Sequence, residues 1–109
     1  MTKHVRVLAV SSPQDDGVPY LFDLTIGDDG MVKSKDVIFG LHGHFNGPQV
    51  FPFYMDAHGM IDFGTYGTTD RMRSTNLRQR PIRVGELFTV KDGQKETSYK
   101  ITRIDQLHH

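Results

Sequence analysis

Apolar and polar residues alternate with a period of two through much of this chain, and the phase of that alternation predicts its elements. Val5, Val7 and Ala9 fall on one side of residues 4–10, with Arg6, Leu8 and Val10 on the other, as in a strand. Tyr20, Phe22, Leu24 and Ile26 repeat the pattern around Leu21, Asp23 and Thr25, so the even positions are expected to be buried. Gly27-Asp28-Asp29-Gly30 has the composition of a turn, and residues 32–39 are the expected return strand. Pairing Tyr20 with Ile38 and Ile26 with Val32 keeps the apolar side chains together. The same register sets Asp23 opposite Lys35, a favourable cross-strand pair.

A second hairpin is expected at residues 86–104, around Asp92-Gly93-Gln94-Lys95. A four-residue loop sets Phe88 opposite Tyr99 and Lys91 opposite Glu96. A two-residue Asp-Gly turn would instead set Glu86 opposite Tyr99 and Val90 opposite Lys95, so the longer loop is expected. Ile104 is out of phase with Tyr99 and Ile101, which predicts a bulge or a strand end near Arg103. Residues 51–55 and 60–66 flank the turn Asp56-Ala57-His58-Gly59 and form a third hairpin, with Pro52 marking a sheet edge. Thr69-Asp70 can cap a short helix running to Gln79, with Pro81 as its stop, although only Met72 and Leu77 would supply its apolar side. The expected fold is one mainly β domain over residues 1–109. It is a small antiparallel sheet or barrel built from hairpins, with at most one short helix.

Composition narrows this further. A chain of 109 residues is long enough for one core. The absence of cysteine excludes disulfides, thiolate catalysis and cysteine-ligated zinc. The longest uncharged run, residues 37–55, is broken by two His, three Gly and two Pro, so no membrane span is expected. The first ten residues lack the apolar core of a secretory signal, which makes the cytoplasm the expected compartment.

The thirteen basic and thirteen acidic residues cancel, but they are segregated. Arg71, Arg73, Arg78, Arg80 and Arg83 share a stretch with no acidic residue, whereas Asp15, Asp16, Asp23, Asp28 and Asp29 share one with no Lys or Arg. Guanidinium groups bind carboxylates and phosphates bidentately, so such a segment is a candidate contact for an anionic partner whatever the net charge. As a helix or as a strand, the segment does not gather all five arginines on one face; Arg78, Arg80 and Arg83 are the three expected to act together.

His42 and His44 form a His-x-His, which on a strand points both rings to one face, and His58 could join them if the hairpins meet. Three such ligands and a water are the arrangement of a catalytic zinc or non-haem iron site. Phe45, between His44 and Asn46 in a Gly-rich loop, is the ring most expected to be exposed, and with Tyr54 it is a candidate for stacking on a nucleic-acid base. There is no Gly-x-Ser-x-Gly, P-loop, dinucleotide fingerprint or Ser-x-x-Lys, so no cofactor is expected.

The leading function is therefore a non-enzymatic binding or interaction module. It would use the arginine-rich segment on a protein partner or on a second copy of itself as a homodimer. The alternatives are an RNA or single-stranded DNA binding domain, and a small metal-dependent enzyme using His42, His44 and His58.

Overall fold

A computed structural model describes residues 2–11, 18–33, 37–43, 50–63 and 73–107. They form eight strands: β1 (Lys3–Ser11), β2 (Tyr20–Ile26), β3 (Ile38–Gly43), β4 (Val50–Met55), β5 (Met60–Asp62), β6 (Arg73–Thr75), β7 (Leu87–Asp92) and β8 (Lys95–Gln106). Each strand is antiparallel to the next, and β8 returns to pair with β1, so the sheet closes into a barrel. Closure removes the unpaired edges that an open sheet of the same hairpins would expose. One 3₁₀ turn, Leu77–Gln79, is the helical element among the described residues, and no helix there is long and apolar enough to cross a membrane.

The period-two pattern explains the interior. Val5, Val7 and Ala9 of β1, Tyr20, Phe22 and Leu24 of β2, and Phe88 and Val90 of β7 all point inward and are buried. The rings fill the lumen in contact with one another: Phe22 meets Phe53 and Phe88 edge-on, and Tyr20 meets Tyr99 the same way at 5.0 Å. The centre of this barrel is therefore a packed core.

The ends at which β1, β3, β5 and β7 finish define the upper end of the barrel, and the ends at which they begin define the lower end. The lower end is sealed by the β6–β7 connection. Leu77 and Ile82 turn in and are almost wholly buried. The connection is tied across by Ile82 N–H to the Gly30 carbonyl (2.8 Å) and by Arg78 Nε to the Asp56 carbonyl (3.0 Å). Its start is set by Thr75 and Asn76, whose side chains stand in for backbone. Thr75 Oγ1 donates to the Thr89 carbonyl, and Asn76 Oδ1 accepts from Thr89 N–H.

Three features differ from the sequence-based expectation or refine it. The Ile26–Val32 pair exists, but Tyr20 faces His42 rather than Ile38, and Asp23 faces Phe39. Between those points the returning chain carries six residues where β2 carries two. An even offset leaves every side chain on its expected face, so the apolar pattern fits both registers. Asp23 is paired instead with Arg6 of β1, bidentately at 2.8 and 3.1 Å, while Lys35 lies outside the described residues.

The expected helix to Gln79 is the second difference. Its start, residues 69–72, lies outside the described residues; residues 73–75 are strand β6, and of the described residues in this stretch only Leu77–Gln79 is helical. With two apolar residues the segment had no stripe to bury as a helix. As a strand it completes the wall between β5 and β7, by two residue pairs on each side. The C-terminal hairpin has the expected register, Phe88–Tyr99 and Lys91–Glu96, but Asp92 and Lys95 also pair, so the turn proper is Gly93-Gln94. Near Arg103 the β1–β8 register slips by one, which is the bulge that the phase of Ile104 implied.

The β4–β5 turn forms as expected. Asp56 Oδ1 accepts from the N–H groups of His58 and Met60, and Gly59 takes φ +82° where a Cβ would lie 2.4 Å from the Thr75 carbonyl oxygen.

Candidate functional site

The described members of the arginine-rich segment divide between the two ends of the barrel. Arg78, Arg80 and Arg83 lie in the lower connection, Arg73 opens β6 at the upper end, and Arg71 is outside the described residues.

At the lower end Arg83 and Glu86 close one turn, with Glu86 N–H donating to the Arg83 carbonyl. The Glu86 side chain is 7 % exposed and accepts from two arginines, Arg83 Nε on Oε1 (2.9 Å) and Arg80 Nη2 on Oε2. Those bonds, Arg80's first, hold the Glu86 carboxyl below the usual carboxylate range. Arg80 Nε is also fixed, on the Leu87 carbonyl at 3.2 Å. One buried carboxylate thus orients two guanidinium groups whose own side chains stay 43 % and 73 % exposed. Beside them Val84 and Leu87 are exposed at 63 % and 47 %, and Lys100 faces Leu87 across the β7–β8 ladder. Arg80, Arg83 and Lys100 thus stand around the one carboxylate of Glu86. The combination of pre-oriented arginine and exposed aliphatic side chain is that of an interface anchor.

Arg78 is engaged with the neighbouring turn, and burial lowers its pKa. Asp56 in that turn sits below the ordinary carboxylate range, chiefly because the Met60 N–H, and then the His58 N–H, bond to it.

His42 and His58 do not come together. His42 ends β3 at the upper end, whereas His58 lies in the β4–β5 turn at the lower end; His44 is outside the described residues. Strand β4 separates those ends by its six residues, roughly 17 Å at the usual rise per residue. Both ring nitrogens of His42 are also occupied. Nδ1 is 3.1 Å from the Pro19 carbonyl, an acceptor, so it carries the proton and Nε2 accepts from Arg73 Nη1 at 3.1 Å. Among the described residues no group of three His, Cys, Asp or Glu side chains is placed to hold a metal ion.

The upper end carries a polar network that sequence analysis did not assemble. Arg73 Nη1 donates to Tyr20 Oη at 2.7 Å as well as to His42, and His42 stacks on Tyr20 with centroids 3.9 Å apart. Arg73 Nε lies 3.6 Å from Asp92 Oδ2, and its guanidinium carbon sits 5.2 Å above the Phe63 ring. Burial raises the Tyr20 pKa, so its hydroxyl stays protonated. Tyr20, His42, Arg73 and Asp92 each take the inward position of their strand nearest the upper end. Phe51 shares that face by alternation and is 38 % exposed at the rim. No sequence motif connects Tyr20, His42, Arg73 and Asp92; only barrel closure brings them together.

Phe45 lies outside the described residues. Tyr54 is exposed on the outer wall, but its hydroxyl donates to Asp62 Oδ2 at 2.7 Å, which sets a carboxylate beside the ring. Glu86 was equally hidden in the sequence, where it is simply the first residue of a strand; the signal for it is the Arg83-Val84-Gly85-Glu86 spacing, which a turn converts into contact. Comparison of the chain with protein-family models, with curated proteins and with solved structures returns no match.

Proposed function

We infer that this chain is a non-enzymatic binding module whose contact surface is built on Arg80 and Arg83 and takes an acidic segment of a protein partner. The supporting observation is the single buried carboxylate of Glu86, which holds two solvent-facing guanidinium groups in place. Pre-orientation lowers the entropy that a long side chain loses on binding. The exposed Val84 and Leu87 favour a peptide that alternates acidic and apolar side chains over a bare polyanion. Base stacking draws no support from Tyr54, because Asp62 would repel the phosphates that accompany a base.

The test is a titration of the protein with a glutamate- and leucine-containing peptide, beside a single-stranded oligonucleotide, at low and moderate salt. The combined Arg80→Ala and Arg83→Ala variant should weaken peptide binding by at least about tenfold, the effect of losing one strong anchor of roughly 2 kcal/mol. Leu87→Ser should weaken it without altering its salt dependence. Peptide affinity unchanged in the double variant would sink this function. Preferential binding of the oligonucleotide would turn it into a nucleic-acid surface. Sedimentation of the free protein shows whether a second copy supplies the acidic segment.

A further inference from the structure

The described residues at the two ends of the barrel differ in kind. The lower end is plugged by Leu77 and Ile82, an inexpensive apolar seal. Among the described residues at the upper end, the uppermost inward position of β6 is an arginine, Arg73, whose side chain is 27 % exposed. A guanidinium is a costly filler for a barrel mouth unless its charge is answered. The groups that receive its Nη1 hydrogen bonds, Tyr20 Oη and His42 Nε2, are neutral. Its carboxylate neighbour Asp92 stands 3.6 Å from Nε, longer than the roughly 2.7–2.9 Å of a charge-assisted bond. Among the described residues nothing accepts a hydrogen bond from Nη2. Around this partly answered cation stand the edge of His42, the ring of Phe63 beneath it and the rim-exposed ring of Phe51.

We propose that the upper mouth of the barrel binds a small organic monocarboxylate, with the carboxylate on Nη2 of Arg73 and the apolar body against Phe63 and Phe51. The position of Arg73 is fixed before the ligand arrives. Tyr20 and His42 hold Nη1, and His42 is itself held by the Pro19 carbonyl, so the guanidinium has no conformational search to make. Asp92 competes with the ligand for the guanidinium. Its charge weakens the hold of Arg73 on any anion, so binding also needs the apolar contact with Phe63 and Phe51, which a carboxylate with an apolar body makes and inorganic phosphate does not. The lumen below is filled by Tyr20, Phe53 and Tyr99, so the ligand stays above them. This site is independent of the Arg80–Arg83 surface, which lies at the other end.

The test uses benzoate and inorganic phosphate as probes, followed by proton–nitrogen correlation spectra of the full chain, including the arginine side-chain signals. Benzoate should shift the Arg73 side-chain resonance and the amides of Tyr20, His42 and Phe63, and phosphate at equal concentration should not. Arg73→Met should weaken benzoate binding by at least tenfold. Asp92→Asn, which removes the competing charge and keeps the shape, should strengthen it several-fold and admit phosphate; it carries the test if Arg73→Met does not fold. The Arg80→Ala, Arg83→Ala variant should bind benzoate as the parent does. The proposal is overturned if benzoate shifts no residue of the mouth, if phosphate competes equally in the parent protein, or if Asp92→Asn leaves both affinities unchanged.

Discussion

Replacing Gly40 by alanine should destabilise the barrel far more than its position in a short strand suggests. Gly40 faces inward on β3, opposite Phe22. A Cβ there would lie 2.2 Å from the Leu21 carbonyl oxygen and 2.5 Å from Cζ of Phe53. Non-bonded carbons rest at roughly 3.5–4.0 Å, so each neighbour would have to retreat by about an ångström. Neither can do so freely. The Leu21 carbonyl belongs to the backbone of the adjacent strand. The Phe53 ring is held by edge contacts to Tyr20, Phe22 and Phe63 at 5.4–5.8 Å. Overpacking of this kind costs typically about 1–3 kcal/mol. With a backbone clash added, the upper end of that range is expected, about 3 kcal/mol. For a domain near this size the midpoint moves roughly 4–8 °C per kcal/mol, which predicts a fall of about 15 °C. Equilibrium urea unfolding followed by circular dichroism gives the free energy directly, and thermal melts give the midpoint. Phe53→Leu on top of Gly40→Ala removes the ring clash and leaves the carbonyl clash. The pair should therefore couple favourably by about 1 kcal/mol without cancelling. A Gly40→Ala protein within about 0.5 kcal/mol of the parent, or strictly additive behaviour with Phe53→Leu, would refute the close packing of β3 on β2 and Phe53.

Two further perturbations test the lower end. Leu77→Ala empties the apolar plug and should cost about 2–5 kcal/mol, read from the same urea unfolding curves; a loss under about 1 kcal/mol would mean that Leu77 does not seal the barrel. Glu86 and Asp56 both have carboxyl groups held below the ordinary range, so their contribution to stability is complete above the unfolded-state value, near pH 4, and is lost as pH falls towards the folded-state values. Stability should thus decline through the acid range, and Glu86→Gln should lower stability at neutral pH while flattening that decline, as thermal melts across pH would show; an unchanged acid slope would argue against the Arg80–Glu86–Arg83 arrangement.

How far the sequence discloses this structure depends on the range of the interaction concerned. The inward set Tyr20, Phe22, Leu24, Phe88, Tyr99 and Ile101 is visible as alternation, because strand geometry imposes a period of two whatever the partner. The bulge near Arg103 is visible for the same reason, as a break in phase. Register between β2 and β3 is not, because a four-residue offset preserves phase and the turn does not fix the length of residues 33–37. Closure is also hidden, since β1 and β8 stand at opposite ends of the chain and their pairing has no local signature. The site residues follow the same rule. Arg80 and Arg83 stand out by composition, but the contact that orients them comes from Glu86, whose significance depends on the turn between them. Arg73 and His42 draw notice only within a basic run and a His-x-His, and both signals suggest partners other than the ones they have.

The arginine-rich segment is continuous in sequence and divided in space because β6 runs through it. Arg73 begins β6 at the mouth, Thr75 and Leu77 carry the chain down to the lower end, and Arg80 and Arg83 reach solvent there on either side of the buried Ile82. Strand β7 measures the gap. Asp92 beside Arg73 and Leu87 beside Arg80 are its two ends, five residue steps or roughly 17 Å apart. Sites so far apart with no shared partner act additively to within about 0.5 kcal/mol. A protein carrying Arg80→Ala, Arg83→Ala and Asp92→Asn together should therefore lose peptide binding as the first two changes do alone and gain benzoate affinity as the third does alone. A triple variant in which either effect depends on the other would mean that the thin wall of β5 and β6, held by two residue pairs on each side of β6, transmits a change from one end of the barrel to the other.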